Sequence, residues 1–124
     1  GIGMGTPIVP AGYKLVVEGH IGAREVVVVK PGDPWPDYVF KSDYSRKSLE
    51  ELKEFITDNH HLPGMPSAAE VDSKGGLELG RLQIKHLEKT EEAYLYILEL
   101  KEEIEQLREE IRLIKQEVNS LKKP

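Results

Sequence analysis

Two adjacent histidines are the residues of this 124-residue chain best suited to bind a metal ion. His60 and His61 could form half of a site. Asp58 or Glu70 would then add a carboxylate, and if the chain formed a trimer its symmetry would gather three copies of the set. Adjacent histidines do not share a helix face, however, and the sequence contains no HExxH spacing. We therefore predict no metal site, and a structural role for His61 in the tight loop before Pro63.

A cluster of aromatic residues could bind a ligand by stacking. Trp35, Tyr38 and Phe40 lie close together in the sequence, and their rings offer broad apolar faces with polar edges. One interpretation is a glycan-binding tip that combines these rings with the two histidines. Its candidate residues are Trp35, Tyr38, His60 and His61. The favoured interpretation is that the aromatic residues anchor their loop to the long helix of a neighbouring chain.

The composition excludes several classes of function. A chain of 124 residues holds one or two small modules, which excludes a large catalytic domain. It has no cysteine, and its net charge of -5 argues against general nucleic-acid binding. No apolar run approaches the roughly 20 residues that span a bilayer, and no P-loop, dinucleotide-binding fingerprint or catalytic triad is present. We expect no membrane insertion, no enzymatic activity and no cofactor.

The C-terminal third of the chain differs sharply from the rest. Residues 81–123 contain neither Gly nor Pro, the two residues that most often interrupt helices. A helix of this length would extend about 65 Å, several times the average for globular proteins. Such a helix cannot be buried in a 14.0 kDa monomer, so we expect it to associate with other chains.

The apolar residues of this helix follow the spacing of a coiled coil. From residue 97 onwards they alternate three and four positions apart, which predicts a seam of about three and a half heptads. The a positions are Ile97, Ile104, Ile111 and Val118, and the d positions are Leu100, Leu107, Ile114 and Leu121. Ile or Val at a with Leu at d favours two strands, whereas Ile114 at d favours three. The seam alone leans towards a dimer.

The charges beside this seam indicate a parallel arrangement. Glutamates occupy the g positions and basic residues occupy the e positions. In a parallel bundle each g residue faces the next e residue of the neighbouring helix. The resulting pairs are Glu103 with Arg108, Glu110 with Lys115, and Glu117 with Lys122, all opposite in charge. We therefore predict a parallel homo-oligomer in which these exposed pairs select the partner more than they stabilise it.

Before residue 97 the apolar surface of the helix becomes wider. The added apolar residues outside the seam are Leu82, Ile84, Leu87, Tyr94, Leu95 and Leu98. We expect this half of the helix to pack against the preceding module as well as against its symmetry mates. His86 lies at a seam position of the extended heptad pattern. A polar residue there more often sets the register, or binds an ion or water on the axis, than acts in catalysis.

Turn and capping signals predict the organisation of the first 80 residues. Two helices each begin with a capping box, and they are expected to end near residue 59 and at residues 75–76. The capping boxes are Ser48 with Glu51 and Ser67 with Glu70. Nearer the N-terminus, residues 13–18 and 21–30 are rich in Val and Ile and flank Gly19 and His20, which predicts a hairpin. The four valines at 26–29 are apolar on both faces, so we expect strand partners from neighbouring chains.

Together these patterns predict an α+β fold in three parts. Residues 1–33 form a β-rich segment, residues 34–80 a small helical capping module, and residues 81–124 the coiled-coil helix. The chain begins with a Gly-rich stretch rather than with Met. We expect it to be a C-terminal piece of a longer protein.

The sequence resembles the C-terminal domains of phage tail-fibre-like and bacterial surface proteins. The resemblance is carried by GIG at 1–3, YKLVVEGHI at 13–21, WPDYVF at 35–40, SLEE at 48–51, HLPGMPSA at 61–68 and LG at 79–80. With the coiled coil that follows, these motifs are similar to tail-fibre-domain proteins whose ends resemble endosialidase-type intramolecular chaperones. The resemblance implies a homotrimer that registers and helps to fold an upstream fibre or adhesin. It also implies an extracellular, cell-surface or virion location.

Some intramolecular chaperones of this wider class cut themselves from the fibre with a serine in an SDxRxK motif. Residues 42–47, SDYSRK, have a similar content, but Arg46 and Lys47 are adjacent and an extra residue follows the Ser-Asp pair. A serine nucleophile also needs a base within hydrogen-bond reach. Autoproteolysis at Ser42 is therefore the less favoured alternative, and the favoured interpretation is a polar turn that leads into the Ser48 cap.

Overall fold

The computed structural model of the chain describes residues 2–5, 8–29 and 32–123. Within these residues it has two short strands, β1 (Ile2–Met4) and β2 (Leu15–Val17), and a 3₁₀ turn at Tyr38–Phe40. Three helices follow: α1 (Leu49–Asn59), α2 (Ala68–Lys74) and α3 (Leu79–Lys122). The architecture is α+β, as the sequence predicts.

The N-terminal strands pair differently from the prediction. β2 lies inside the predicted segment 13–18, but it pairs in parallel with β1, with Gly3 opposite Val16. Residues 21–29 form no strand, so the predicted hairpin is wrong, and Lys30 lies outside the described residues. At the predicted turn Gly19 has a φ of 134°, far from the roughly 60° of the first central position of a two-residue hairpin turn, so the chain does not reverse there. The valines at 26–29 remain exposed in the single chain.

The serine half of each predicted capping box is confirmed, whereas neither Glu51 nor Glu70 accepts a bond from the backbone N–H of its serine within residues 32–123. The Ser48 hydroxyl accepts a hydrogen bond from the Glu51 N–H at 3.1 Å, and Ser67 accepts from Glu70 at the same distance. The predicted helix ends are also correct. α1 stops at Asn59 because His60 turns into the left-handed region, and α2 stops before Gly75 for the same reason.

The long helix α3 has 44 residues and extends about 66 Å. It begins two residues before the predicted start. Over the described residues, none of the helices is both long enough and apolar enough to cross a membrane.

The tertiary core of the single chain is small. Val39 and Ile84 are 2% and 5% exposed, and Pro36 is fully buried. These residues pack where the 3₁₀ turn meets the first half of α3, and the core lies at this contact. Neither α1 nor α2, both fully described, contributes a buried residue. The single chain therefore buries only a small part of its apolar surface, although it carries a long apolar helix.

Candidate functional site

Residues 33–47, which we call the strap, lie along the first half of α3 and run in the same direction as the helix. The polar contacts between them are Asp33 with Arg81, Tyr38 with Glu88, Asp37 with Glu91, Tyr44 with Glu92, Lys47 with Tyr96, and Arg46 with Glu99. At one end, Arg81 Nε lies 2.9 Å from an Asp33 carboxylate oxygen. Towards the other end, the Tyr96 hydroxyl donates a 2.6 Å hydrogen bond to the Lys47 carbonyl. The strap thus covers about 27 Å of the helix.

A tyrosine and a glutamate form the central contact. The Tyr38 hydroxyl donates a hydrogen bond to Glu88, which is 8% exposed, and the ammonium groups of Lys85 and Lys89 lie 3.9 and 3.4 Å from its carboxylate oxygens. Burial alone would raise the pKa of Glu88, but the Tyr38 hydrogen bond and the two ammonium groups outweigh it and lower the pKa. Burial and the bond to Glu88 raise the pKa of Tyr38 to about 12, so the hydroxyl remains a donor at neutral pH.

Glu91 lies one turn further along α3 in a different electrostatic environment. It is 6% exposed, and it accepts a 3.1 Å hydrogen bond from the backbone N–H of Asp37. Burial and the neighbouring Asp37 carboxyl group raise the pKa of Glu91. Asp37 itself has a φ of 119°, a conformation that residues with side chains rarely adopt. Strain is therefore held at the point where the strap enters its 3₁₀ turn.

Arg46 completes the C-terminal end of the strap. Its guanidinium carbon lies 4.6 Å from the centroid of the Tyr96 ring, and its Nη2 atom is 3.8 Å from a Glu99 carboxylate oxygen. Burial, followed by the nearby Glu92 carboxylate, raises the pKa of Tyr96. Tyr96 thus contacts the strap with its ring face and with its hydroxyl group.

The strap occupies the side of α3 that faces away from the predicted seam. With 3.6 residues per turn, Ile84, Glu88 and Glu91 lie across the helix from Ile97. In heptad terms the residues that the strap buries fall at positions b and f. The extended seam positions before Ile97 are all exposed, namely Leu79, Gln83, His86, Thr90 and Ala93. The folded module therefore leaves the seam face of α3 uncovered, even where it packs against the helix.

The remainder of α3 extends beyond the strap without intrachain packing. Every residue from 100 to 123 is exposed. The eight predicted seam residues are 42 to 83% exposed in the single chain. They are Ile97, Leu100, Ile104, Leu107, Ile111, Ile114, Val118 and Leu121. An apolar stripe about 36 Å long is therefore accessible to another chain.

The predicted inter-chain charges flank this stripe and are exposed. They are Glu103, Arg108, Glu110, Lys115, Glu117 and Lys122. Among the described residues none of these six forms an ion pair within the chain, whereas two other pairs do form along the helix, one of them through the e residue Lys101. In these, Lys101 Nζ lies 3.4 Å from Glu105, and Arg112 lies 2.6 Å from Glu109.

The candidate binding residues are not gathered into one site. Trp35 is 55% exposed, whereas the Tyr38 hydroxyl is bonded to Glu88 and the Tyr38 ring lies 5.8 Å from that of Tyr44 at a tilt of 42°. His60 is the left-handed residue that ends α1. His61 Nδ1 lies 2.9 Å from the Leu62 carbonyl, and its ring meets Phe55 edge-on at 5.4 Å. The structural role predicted for His61 agrees with these contacts.

The other candidates for chemistry lie apart from one another. Ser42 is an exposed turn residue, and within residues 32–123 no hydrogen bond joins its hydroxyl to a base. Arg46 and Lys47 are instead directed to Tyr96 and to the Phe55 ring, which Lys47 approaches at 5.4 Å. No group of three or more potential metal ligands occurs among the residues that the structure describes.

A row of carboxylates on α3 is the feature that sequence reasoning missed. Its members are Glu88, Glu91, Glu92 and Glu99. They lie three, one and seven positions apart, a spacing that keeps them on one side of the helix. Acidic residues at helical spacing are usually interpreted as a solvated face. The available signal was the pair of tyrosines and the arginine in the preceding segment, which supply donors for these acids.

Comparison with known proteins gives no assignment for this chain. No protein-family model matches the sequence, and no curated protein or solved structure is significantly similar to it. The resemblance to tail-fibre-domain proteins therefore remains a prediction from the motifs quoted above.

Proposed function

We propose that the chain is a C-terminal trimerisation and folding-registration module of a tail-fibre-like protein or surface adhesin. In this role it acts outside the cell, on a cell surface or on a virion. Three copies of α3 associate in parallel through their seams, and the association aligns the three polypeptides that precede them. The trimer and the location follow from the sequence resemblance, and the association follows from the surface of α3.

One observation carries the proposal: the apolar seam of α3 is exposed along its whole length, and the strap packs on the opposite face. A surface helix of a globular domain would turn its apolar stripe towards its own core. Here Ile84 and the carboxylates face the module, while Leu79 and the seam from Ile97 face outwards. An exposed apolar stripe of this length with charged borders is the surface of a coiled-coil partner.

The mechanism follows from effective concentration. Joining three helices in parallel brings the preceding segments of three chains within a few nanometres of one another. The translational and rotational freedom that strands from different chains lose on pairing is then largely lost already when the helices associate, before those strands form. The valines at 26–29, exposed in the single chain, are the strand residues that would gain such partners.

Sedimentation equilibrium across a concentration series tests the association directly. We expect a mass of about three times 14.0 kDa. A mass of about two times 14.0 kDa would retain the coiled coil and restore the dimer that the a and d residues favour. A monomer at all concentrations would contradict the proposal.

Substitutions at two positions with nearly equal exposure in the single chain test the seam. Ile111 and Leu113 are 51% and 50% exposed, but only Ile111 lies on the seam. We expect the Ile104→Asp/Ile111→Asp variant to sediment as a monomer, because burying a carboxylate in the seam costs several kcal/mol. Leu113→Asp, at an outer position, should remain assembled. Retention of the oligomer by the seam variant would show that the seam is assigned wrongly.

Receptor or glycan binding at a fibre tip is the second candidate function. It is favoured by Trp35 and Phe40, which are both exposed although the strap around them is anchored. Trp35→Ala should abolish binding on a glycan array without changing the oligomeric mass. Absence of any glycan bound by the intact protein would remove this candidate.

A further inference from the structure

A second apolar stripe of α3 lies beside the seam and is not covered by the strap. Leu87, Tyr94 and Leu98, which we call the lateral stripe, are spaced seven and four residues apart and share one side of the helix. Tyr94 and Leu98 are 62% and 54% exposed, and Leu87 is half-buried. In heptad terms these residues fall at positions e and b. Ile84, another apolar residue outside the seam, packs against the strap instead.

The apolar face of α1 also lacks a full partner within the chain. It consists of Leu49, Leu52, Phe55 and Ile56, none of which is buried. Leu62, in the loop after α1, is likewise exposed. Helix stability in proteins comes mainly from packing of the amphipathic face. A further contact on this incompletely buried face would therefore stabilise α1, which has 11 residues.

α1 lies on the g side of α3, away from the lateral stripe. A cavity of about 420 Å³ lies between α1 and α3 and is lined by Leu52, Pro63, Lys89 and Tyr96, among others. Lys89 and Tyr96 are both g residues of the extended heptad pattern. The Tyr96 hydroxyl also bonds to the carbonyl of Lys47, the residue directly before the Ser48 cap. The module thus flanks one border of the seam, and the lateral stripe flanks the other.

We propose that α1 of one protomer packs against the lateral stripe of the next protomer. This inference rests on the proposed parallel coiled coil, because only that arrangement brings the g side of one helix to the e side of its neighbour. The contact is heterologous, so in a closed ring each chain gives α1 to one neighbour and receives α1 from the other. The occupant of the stripe is a second copy of this chain, and the contact extends the seam interface outwards on both borders.

Crosslinking between introduced cysteines tests this contact, since the natural chain has none. The Ile56→Cys/Tyr94→Cys variant, treated with a short bismaleimide at a concentration where it sediments as the oligomer, should give covalent species of two and three times 14.0 kDa. Each single variant should give predominantly monomer. The matched control is Ile56→Cys/Leu113→Cys, because residue 113 lies about 28 Å beyond residue 94 along the helix and out of reach.

The outcomes separate this inference from the proposed function. An assembled double variant that crosslinks no more than its single variants would overturn the α1 contact and leave the seam intact. A natural chain that is monomeric before any crosslinker is added would overturn both.

As a second measurement, Tyr94→Ser/Leu98→Ser should lower the melting temperature of the assembled protein by several degrees, and Leu113→Ser should not. Equal melting temperatures for these two variants would also contradict the contact.

Discussion

Single residues of the strap interface differ in how they respond to protonation. Glu88 and Glu91 are three positions apart and both nearly buried, yet their pKa values shift in opposite directions. Glu88 faces donors and cations, whereas Glu91 faces a second carboxyl group at Asp37. Burial raises the pKa of both groups, so the neighbouring groups decide whether the pKa is raised or lowered in the end.

Glu88→Gln is expected to destabilise the strap at pH 7 by about 1.5–3 kcal/mol, the scale of a hydrogen bond to a charged group. The pKa of Glu88 in the fold lies below its ordinary value of 4.5, so its stabilising contribution is present above that value and is lost as the pH falls through the lowered pKa. Urea unfolding in a series of pH values from 7 down to 2, followed by Trp35 fluorescence, measures this difference. An effect that stays constant over the whole series would contradict the assignment.

Glu91→Gln is expected to change the stability at pH 7 in the opposite direction and to stabilise the protein. The pKa of Glu91 is raised above 4.5, so its contribution is fully present below that value and is lost as the pH rises through the raised pKa. Glutamine can still accept the Asp37 N–H but carries no charge. The variant should therefore be more stable than the natural chain at pH 7 and equally stable near pH 3. The same urea series checks it, and a loss of stability at pH 7 would count against the account.

At the scale of elements, the ends of α1 and α2 depend on single side chains. Ser48→Ala removes the acceptor of the Glu51 N–H and should cost α1 about 1 kcal/mol. Amide exchange at Glu51 should then become roughly fivefold faster. Ser73→Ala is the matched control, because the Ser73 hydroxyl only donates to the Glu70 carbonyl within α2. Unchanged exchange at Glu51 in the Ser48 variant would refute the capping contribution.

The elements that sequence reasoning predicted correctly are those set by local chemistry. The Ser48 and Ser67 caps, and the long helix over residues 81–122 that lack Gly and Pro, need only neighbouring residues. The hairpin failed because strand pairing is not local: β2 was placed correctly, but it pairs with residues 2–4. The strap could not be predicted by apolar periodicity, because polar groups some 50 positions apart hold most of it to α3.

At the scale of the whole molecule, stability is expected to depend on protein concentration. The single chain buries little apolar surface, and the proposed assembly would supply the rest. Because association is then coupled to folding, the melting temperature should rise steadily as the protein concentration is raised. Circular dichroism at 222 nm over a hundredfold range of concentration measures the shift. A constant melting temperature over this range would mean that folding does not depend on association.

The position of the strap also has a consequence for the order of assembly. Its contacts with α3 lie within one chain, so they form at a rate that does not depend on how many other chains are present. Starting a helix is the slow and unfavourable step of helix formation. By holding residues 81–99 in helical form before any partner arrives, the strap supplies that nucleus, and the distal seam can elongate from it. Trp35, the only tryptophan and a member of the strap, would report an early, concentration-independent kinetic phase. Helical signal from the distal seam would follow in a second phase that accelerates with concentration.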